Sequence, residues 1–365
     1  MPFDVGDFPG ASSSDRAASR RSRRLVGAWL LLSAAMILVM IGLGGATRLT
    51  GSGLSIMEWA PLMGTLPPLS EAEWNRLFDL YKQIPQYQLV NADFALADFK
   101  RIFWLEWVHR LWGRLLGIAF LGPLAWFWVK GHIARRLVPR LLGLFALGGL
   151  QGALGWFMVA SGFFPDATKV SAYRLVAHLG LALVLYGGIL WTGLSVIMGP
   201  PRAPLSARRT WRLALLSAGL LSLTILAGGF VAGLHAGLTY NTFPLMDGRL
   251  VPDGYAALSP FLLNLTENVA AVQFNHRLLA TLTLLAATAT VVVGLRTPVQ
   301  AVPRAPLLAV AILVATQYTL GIVTLLQVVP TSLALAHQLC AILVLTAMLV
   351  LLHVTRVPRL RVRSE

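Results

Sequence analysis

Apolar residues gather in eight stretches along this chain, at about 25–46, 103–129, 139–160, 172–198, 211–234, 269–294, 305–328 and 332–355. Each is long enough to cross a bilayer as a helix, which takes about 20 residues. The pattern predicts an all-α, polytopic membrane protein of eight transmembrane helices. One connection, residues 47–102, is long. Within it Ser70 and Glu73 have the spacing of a capping box. Trp74, Leu77, Phe78 and Tyr81 then recur at helical intervals, which predicts an amphipathic helix near the interface. Asn91 is expected to cap a second short helix running toward Lys100. This loop reads as a packed lid. Residues 1–24 are expected to be a disordered basic tail, 199–210 a cytoplasmic linker and 356–365 a second basic tail.

Charge sets the orientation. Hydrophobic residues make up 56% of the chain and charged residues 12%, about half the charge of a soluble domain. The net charge of +15 invites a nucleic-acid partner, but the basic residues lie in the short connections, where the positive-inside rule puts them. Of 30 Lys and Arg, 19 fall on the side of the two termini, so both termini are expected in the cytoplasm. The partner surface is the lipid bilayer, and no nucleic acid is expected. The first apolar run is too long for a cleavable signal peptide. Asp4, Asp7 and Asp15 argue against a mitochondrial transit peptide, so the expected location is a bacterial inner membrane. Cys340 is the single cysteine, which excludes an intramolecular disulfide.

The chain repeats itself. The segment from Gly44, GGATRLTGSGLSIMEWAPLMG, is similar to GGFVAGLHAGLTYNTFPLMDG from Gly228, including Pro61-Leu62-Met63 against Pro244-Leu245-Met246. WLEWVHRL from Trp104 matches AVQFNHRL from Ala271, and RLVAHLG from Arg174 matches LALAHQL from Leu333. Two four-helix halves, residues 25–198 and 211–355, are expected as a parallel duplication.

Four histidines follow the repeat: His109 and His178 in spans two and four, His276 and His337 in spans six and eight. Each stands one to two turns inside the expected outer end of its span, so each pair can face across a bundle, where cofactor sites are built. A lone intramembrane histidine is often only a packing residue, but four at matched depth argue for ligation. Paired imidazoles without a carboxylate cluster suit heme iron better than zinc. Gly113, Gly117, Gly149, Gly152, Gly155 and Gly180 either make room for a porphyrin or serve close helix packing. His132 and His353 read as cytoplasmic surface residues. His235, whose repeat counterpart is Gly51, reads as interfacial. Arg110 and Arg277 follow the first histidine of each half and are candidate contacts for heme propionates, or interface anchors. Three residues before that histidine the halves differ, with Glu106 in the first and Gln273 in the second. A carboxylate in such a setting is expected to have a raised pKa and to exchange protons; an ion pair with Arg110 is the plainer alternative.

The motifs GGATRLTGSGLS (Gly44–Ser55), EWVHR (Glu106–Arg110), NTFPLMDG (Asn241–Gly248) and NHR (Asn275–Arg277) resemble those of the heme A synthase family. Its members convert heme O to heme A for cytochrome oxidase. The resemblance covers nearly the whole chain. It implies that His276 and His337 ligate a heme b, that His109 and His178 face the substrate heme, and that Glu106 is the catalytic carboxylate. It implies oxidation of a porphyrin methyl to a formyl, with hydroxylation first. Heme O synthase and cytochrome oxidase assembly factors are the expected partners, and whether the chain forms a homo-oligomer is left open by the sequence. The missing loop cysteines and long first loop look like the proteobacterial and mitochondrial branch. A di-heme b-type cytochrome exchanging electrons with quinol would use the same histidines but leave the Glu106/Gln273 difference unexplained. A transporter would place its polar groups nearer the midplane.

Overall fold

A computed structural model describes residues 13–59, 63–199 and 203–358. Ten α-helices follow one another among them: α1 (Ser13–Leu49), α2 (Glu71–Tyr81), α3 (Pro85–Val90), α4 (Leu96–Val129), α5 (Val138–Ala160), α6 (Ala172–Met198), α7 (Arg208–Gly233), α8 (Val269–Arg296), α9 (Arg304–Leu326) and α10 (Thr331–Val354). All except α2 and α3 are long and apolar enough to cross a membrane, by length and composition. No strand occurs among the described residues. The chain is an all-α, multi-pass membrane protein.

Three boundaries differ from the sequence expectation. The first helix begins at Ser13, so residues 13–24 are helical rather than disordered. That stretch is rich in Arg, a strong helix former, and holds no Gly or Pro to stop the helix. Asn91 ends α3 as its C-cap instead of starting a helix. No separate helix precedes span two, because α4 already begins at Leu96. Its first turns are extended by packing, with Phe99, Ile102 and Phe103 buried against Trp74, Leu77, Phe78 and Tyr81 of α2. The Ser70 side chain caps α2 as expected, accepting from the Glu73 backbone N–H at 3.2 Å. The Glu73 carboxylate turns instead to Arg76. Residues 1–12 and 359–365 of the expected tails, 200–202 of the linker, and Ala60, Pro61 and Leu62 of the repeat lie outside the described residues.

The spanning helices form two rings. Helix α1 packs on α4 and α6, and α5 packs on the same two, which sets α4 and α6 on a diagonal. In the same way α7 and α9 each pack on α8 and α10. The rings meet through α1 and α6 on one side and α7 and α10 on the other.

The two rings are zipped by different chemistry. Helices α7 and α8 share three hydroxyl pairs at heptad intervals: Thr210 with Thr297 at 3.5 Å, Ser217 with Thr290 at 3.0 Å, and Thr224 with Thr283 at 2.9 Å. Small hydroxylated residues let membrane helices approach closely. Between α1 and α4 the spacers are large. Trp29 donates to the Ala119 carbonyl and Trp112 to that of Met36, each at 2.9 Å, and Trp29 packs on Phe120 with centroids 5.0 Å apart. The α7–α8 seam is therefore close-set, and the α1–α4 seam is spaced by indoles.

Candidate functional site

Each of the four repeat histidines is seated against a glycine of a neighbouring helix in its own ring. A Cβ on Gly44 of α1 would stand 3.1 Å from His109, and one on Gly228 of α7 would stand 3.0 Å from His276. On the other diagonal, Cβ atoms on Gly155 of α5 and Gly321 of α9 would each stand 2.9 Å from His178 and His337. A side chain at Gly155 or Gly321 would force the imidazole to shift, and one at Gly44 or Gly228 would press on it, which is a physical reason for glycine at these positions. The next residue of each Gly-Gly pair faces the other ring: Gly45 abuts Gln338 of α10, and Gly229 abuts Val176 and Leu179 of α6. One glycine pair thus makes room for an imidazole and for the joint between rings.

His109 and His178 lie on the diagonal helices of one ring, and His276 and His337 on the diagonal helices of the other. His178, His276 and His337 stand about two turns from the start of their helices. His109 lies deeper into α4 only because that helix begins early.

Glu106 is 2% exposed and every acceptor position on it is filled. Its Oε2 accepts from the Ser55 N–H at 2.8 Å, the Ser55 hydroxyl at 2.8 Å and the Ile56 N–H at 3.0 Å. Its Oε1 accepts from Arg110 Nε at 3.0 Å and Nη2 at 2.6 Å. Arg110 in turn donates to the carbonyls of Ile56 and Glu58. The pair therefore clamps the segment that follows α1, and the ion pair left open as an alternative is present. In the second ring Gln273 and Arg277 grip the segment after α7 in the same manner. Gln273 Nε2 donates to the carbonyls of Ala236 and Thr239, while Arg277 donates to Gln273 Oε1 and to the carbonyls of Tyr240 and Thr242. The polarity is reversed: the glutamate receives backbone N–H groups and the glutamine supplies hydrogens to carbonyls. Both arginines hold loops, a role beside the two that the sequence left open.

The remaining histidines divide. His132 is exposed and bonded to the Ser22 hydroxyl at 2.8 Å. His353, expected at the surface, is 6% exposed, with its ring edge-on to Trp191 at 5.1 Å. The last turn of α10 packs into the core, and the apolar face of that turn carries the histidine inward. His235 is exposed at φ 56°, and its counterpart Gly51 has φ 68°. The position is a left-handed helix end, so it needs a backbone conformation rather than an imidazole. Of the glycines singled out in sequence, Gly117, Gly149 and Gly152 border open space, whereas Gly113, Gly155 and Gly180 press on Met40, His178 and Leu226.

Two residues escaped the sequence reading. Gln151 Nε2 lies 3.4 Å from Nε2 of His178, and Gln317 Nε2 lies 3.4 Å from Nε2 of His337. Their signal is visible: QGALG at Gln151 and QYTLG at Gln317 share a Gln one turn before the glycine that seats the histidine. Ser55 and Ile56 were also missed as partners of Glu106.

The donor set of the second ring, two imidazoles on diagonal helices, suits an iron porphyrin. His276 gives Nδ1 to the Thr224 carbonyl at 3.1 Å, which orients the ring and leaves Nε2 for a metal. His337 sits opposite with its Nδ1 buried and unpartnered. Among the described residues no cluster of His, Cys, Asp or Glu offers a bare metal ion three ligands.

Comparison with known proteins places this arrangement. The sequence model of the COX15-CtaA family, described as cytochrome oxidase assembly protein, matches residues 27–349. The chain is 58% identical to the heme A synthase of Granulibacter bethesdensis, over 92% of this chain and 89% of that one. It is 46% identical to heme A synthase 2 of Acidiphilium cryptum, over 92% and 93%. To the heme A synthase of Rhodospirillum centenum it is 48% identical, over 95% and 93%.

Proposed function

The chain belongs to the COX15-CtaA family of cytochrome oxidase assembly proteins, and from that premise we propose that it is a heme A synthase, with a division of labour between its two rings. It is an oxidoreductase that converts a methyl group of heme O to the formyl group of heme A. Likeness over nine-tenths of the chain to heme A synthases carries the reaction.

One difference between otherwise matched clamps carries the division of labour: Glu106 against Gln273. His276 and His337 would hold a heme b, which supplies electron transfer when bound. His109 and His178 take the substrate heme O, whose farnesyl tail suits a site reached from the bilayer. Glu106 is the catalytic carboxylate. Both of its oxygens already carry donors, so it receives a proton only as one donor lets go. Among the five, the Ser55 hydroxyl is the uncharged one free to rotate away. Gln273 has the same shape and cannot take that proton. The matched glycine seats, clamps and diagonal histidines favour a duplicated four-helix unit, residues 25–198 and 211–355.

Nineteen of 30 basic residues on one side favour a bacterial inner membrane orientation with both termini cytoplasmic. Heme O synthase and cytochrome oxidase assembly factors are the expected partners. Arg110 and Arg277 remain candidate propionate contacts only through hydrogens not given to their loops. The test is co-expression with heme O synthase in a bacterium that makes no heme A. Heme A in the extracted pigments is expected; heme O accumulating unchanged would overturn the reaction.

A further inference from the structure

We propose that Gln151 and Gln317 are positioning residues that keep the second histidine of each ring in its iron-ligating tautomer. The inference rests on the assignment of these rings as heme sites. An amide Nε2 can only donate, so an amide nitrogen facing imidazole Nε2 requires a lone pair there and the proton on Nδ1. That is the state a metal needs at Nε2. The distance is 3.4 Å in both rings, Gln151 Nε2 also donates to the His178 backbone carbonyl at 3.0 Å, and Nδ1 of both histidines, like Oε1 of both glutamines, is buried without a partner.

The first histidine of the second ring has a different device for the same end, since His276 Nδ1 is fixed by the Thr224 carbonyl. His337 has no carbonyl at Nδ1, so its tautomer is set from the other nitrogen, by Gln317. The glycine one turn on limits ring rotation from the same helix, since a Cβ there would stand 2.9 Å from the imidazole in both cases. Gln and Gly at i and i+4 share a helix face, and together they form the notch that receives the ring. When iron takes the Nε2 lone pair, the amide gives it up. Before that, the same amide keeps an imidazole acceptor from standing bare in an apolar interior.

The experiment uses the purified full-length protein loaded with heme b, and compares the parent with Gln317→Leu and Gln151→Leu. In Gln317→Leu the ferric spectrum gains a high-spin fraction and heme b leaves about 10-fold faster on dilution into apo-myoglobin. In Gln151→Leu heme b is unchanged and the KM for heme O rises. Should Gln317→Leu fail to accumulate in membranes, Gln317→Asn, whose amide is one methylene short of the ring, is read in the same way. A parent that is low-spin and bis-imidazole beside a Gln317 variant with the same spectrum and retention overturns the role of the glutamine alone. A parent without a bis-imidazole heme overturns the heme b assignment and the inference with it.

Discussion

Arg110 bonds both Glu106 and the backbone carbonyls of Ile56 and Glu58, so a charge pair and a loop stand or fall together. Removing one partner of a buried pair costs about 3–5 kcal/mol. Arg110→Leu is therefore expected to lower the thermal midpoint sharply and to expose the 52–58 segment to protease. Glu106→Gln keeps the volume but sets an amide hydrogen against either Arg110 or the Ser55 and Ile56 N–H groups. We expect it to retain heme b and to lose heme O conversion by at least about 100-fold, the scale of a removed acid–base group. Ser55→Ala leaves the carboxylate in place and is expected to cost about 10-fold or less on the same scale. Equal losses in the two variants would reduce Glu106 to a clamp. The pair itself was legible in WLEWVHR, because an i, i+4 spacing on a helix is a local fact. Its other donors were not legible: Ser55 and Ile56 lie some fifty residues upstream, and a backbone N–H leaves no mark in the letters.

Helix α8 owes its position to the hydroxyl rungs it shares with α7, and these set His276 against Gly228. Five of the six rung hydroxyls also bond their own helix, as Thr290 does to the Ala286 carbonyl. Thr290→Val is thus expected to cost only about 0.6 kcal/mol, whereas Thr290→Leu, which pries the helices apart, costs about 1–3 kcal/mol. Denaturation of the heme-loaded protein followed by loss of the heme absorbance distinguishes the two. In the long loop, Arg76 bonds Glu58 and Glu73 and holds both carboxyls below their ordinary range. A lowered folded-state value stabilises at neutral pH and is lost as pH falls through it. Arg76→Ala should therefore raise proteolysis of the loop near pH 7, by less than about 1 kcal/mol of opening free energy, and match the parent in acid. Agreement at every pH would contradict this. The amphipathic α2 was readable from its period. Asn91 was not, since asparagine suits both ends of a helix and only the path of the chain decides.

Over the whole molecule, two rings with matched histidine seats sit side by side and differ in the chemistry of one seam, indoles between α1 and α4 and hydroxyls between α7 and α8. The repeat was readable because the letters around Gly44 and Gly228 are alike, with a glycine set against an imidazole in each half. The glutamines at Gln151 and Gln317 carry the same kind of signal, but short motifs on apolar helices are drowned by Leu and Ala. Orientation is checked with single cysteines in a Cys340→Ala background. Ser206→Cys is expected to react only with reagent inside the cell and Glu71→Cys only with reagent outside; the reverse would invert the topology. The central claim, that one ring holds a permanent heme and the other a heme to be oxidised, is tested by extracting and identifying the hemes of the purified protein. We expect heme b together with heme O or heme A from the parent, and loss of heme b alone from His337→Ala. Heme b as the sole pigment of a fully loaded protein would contradict it.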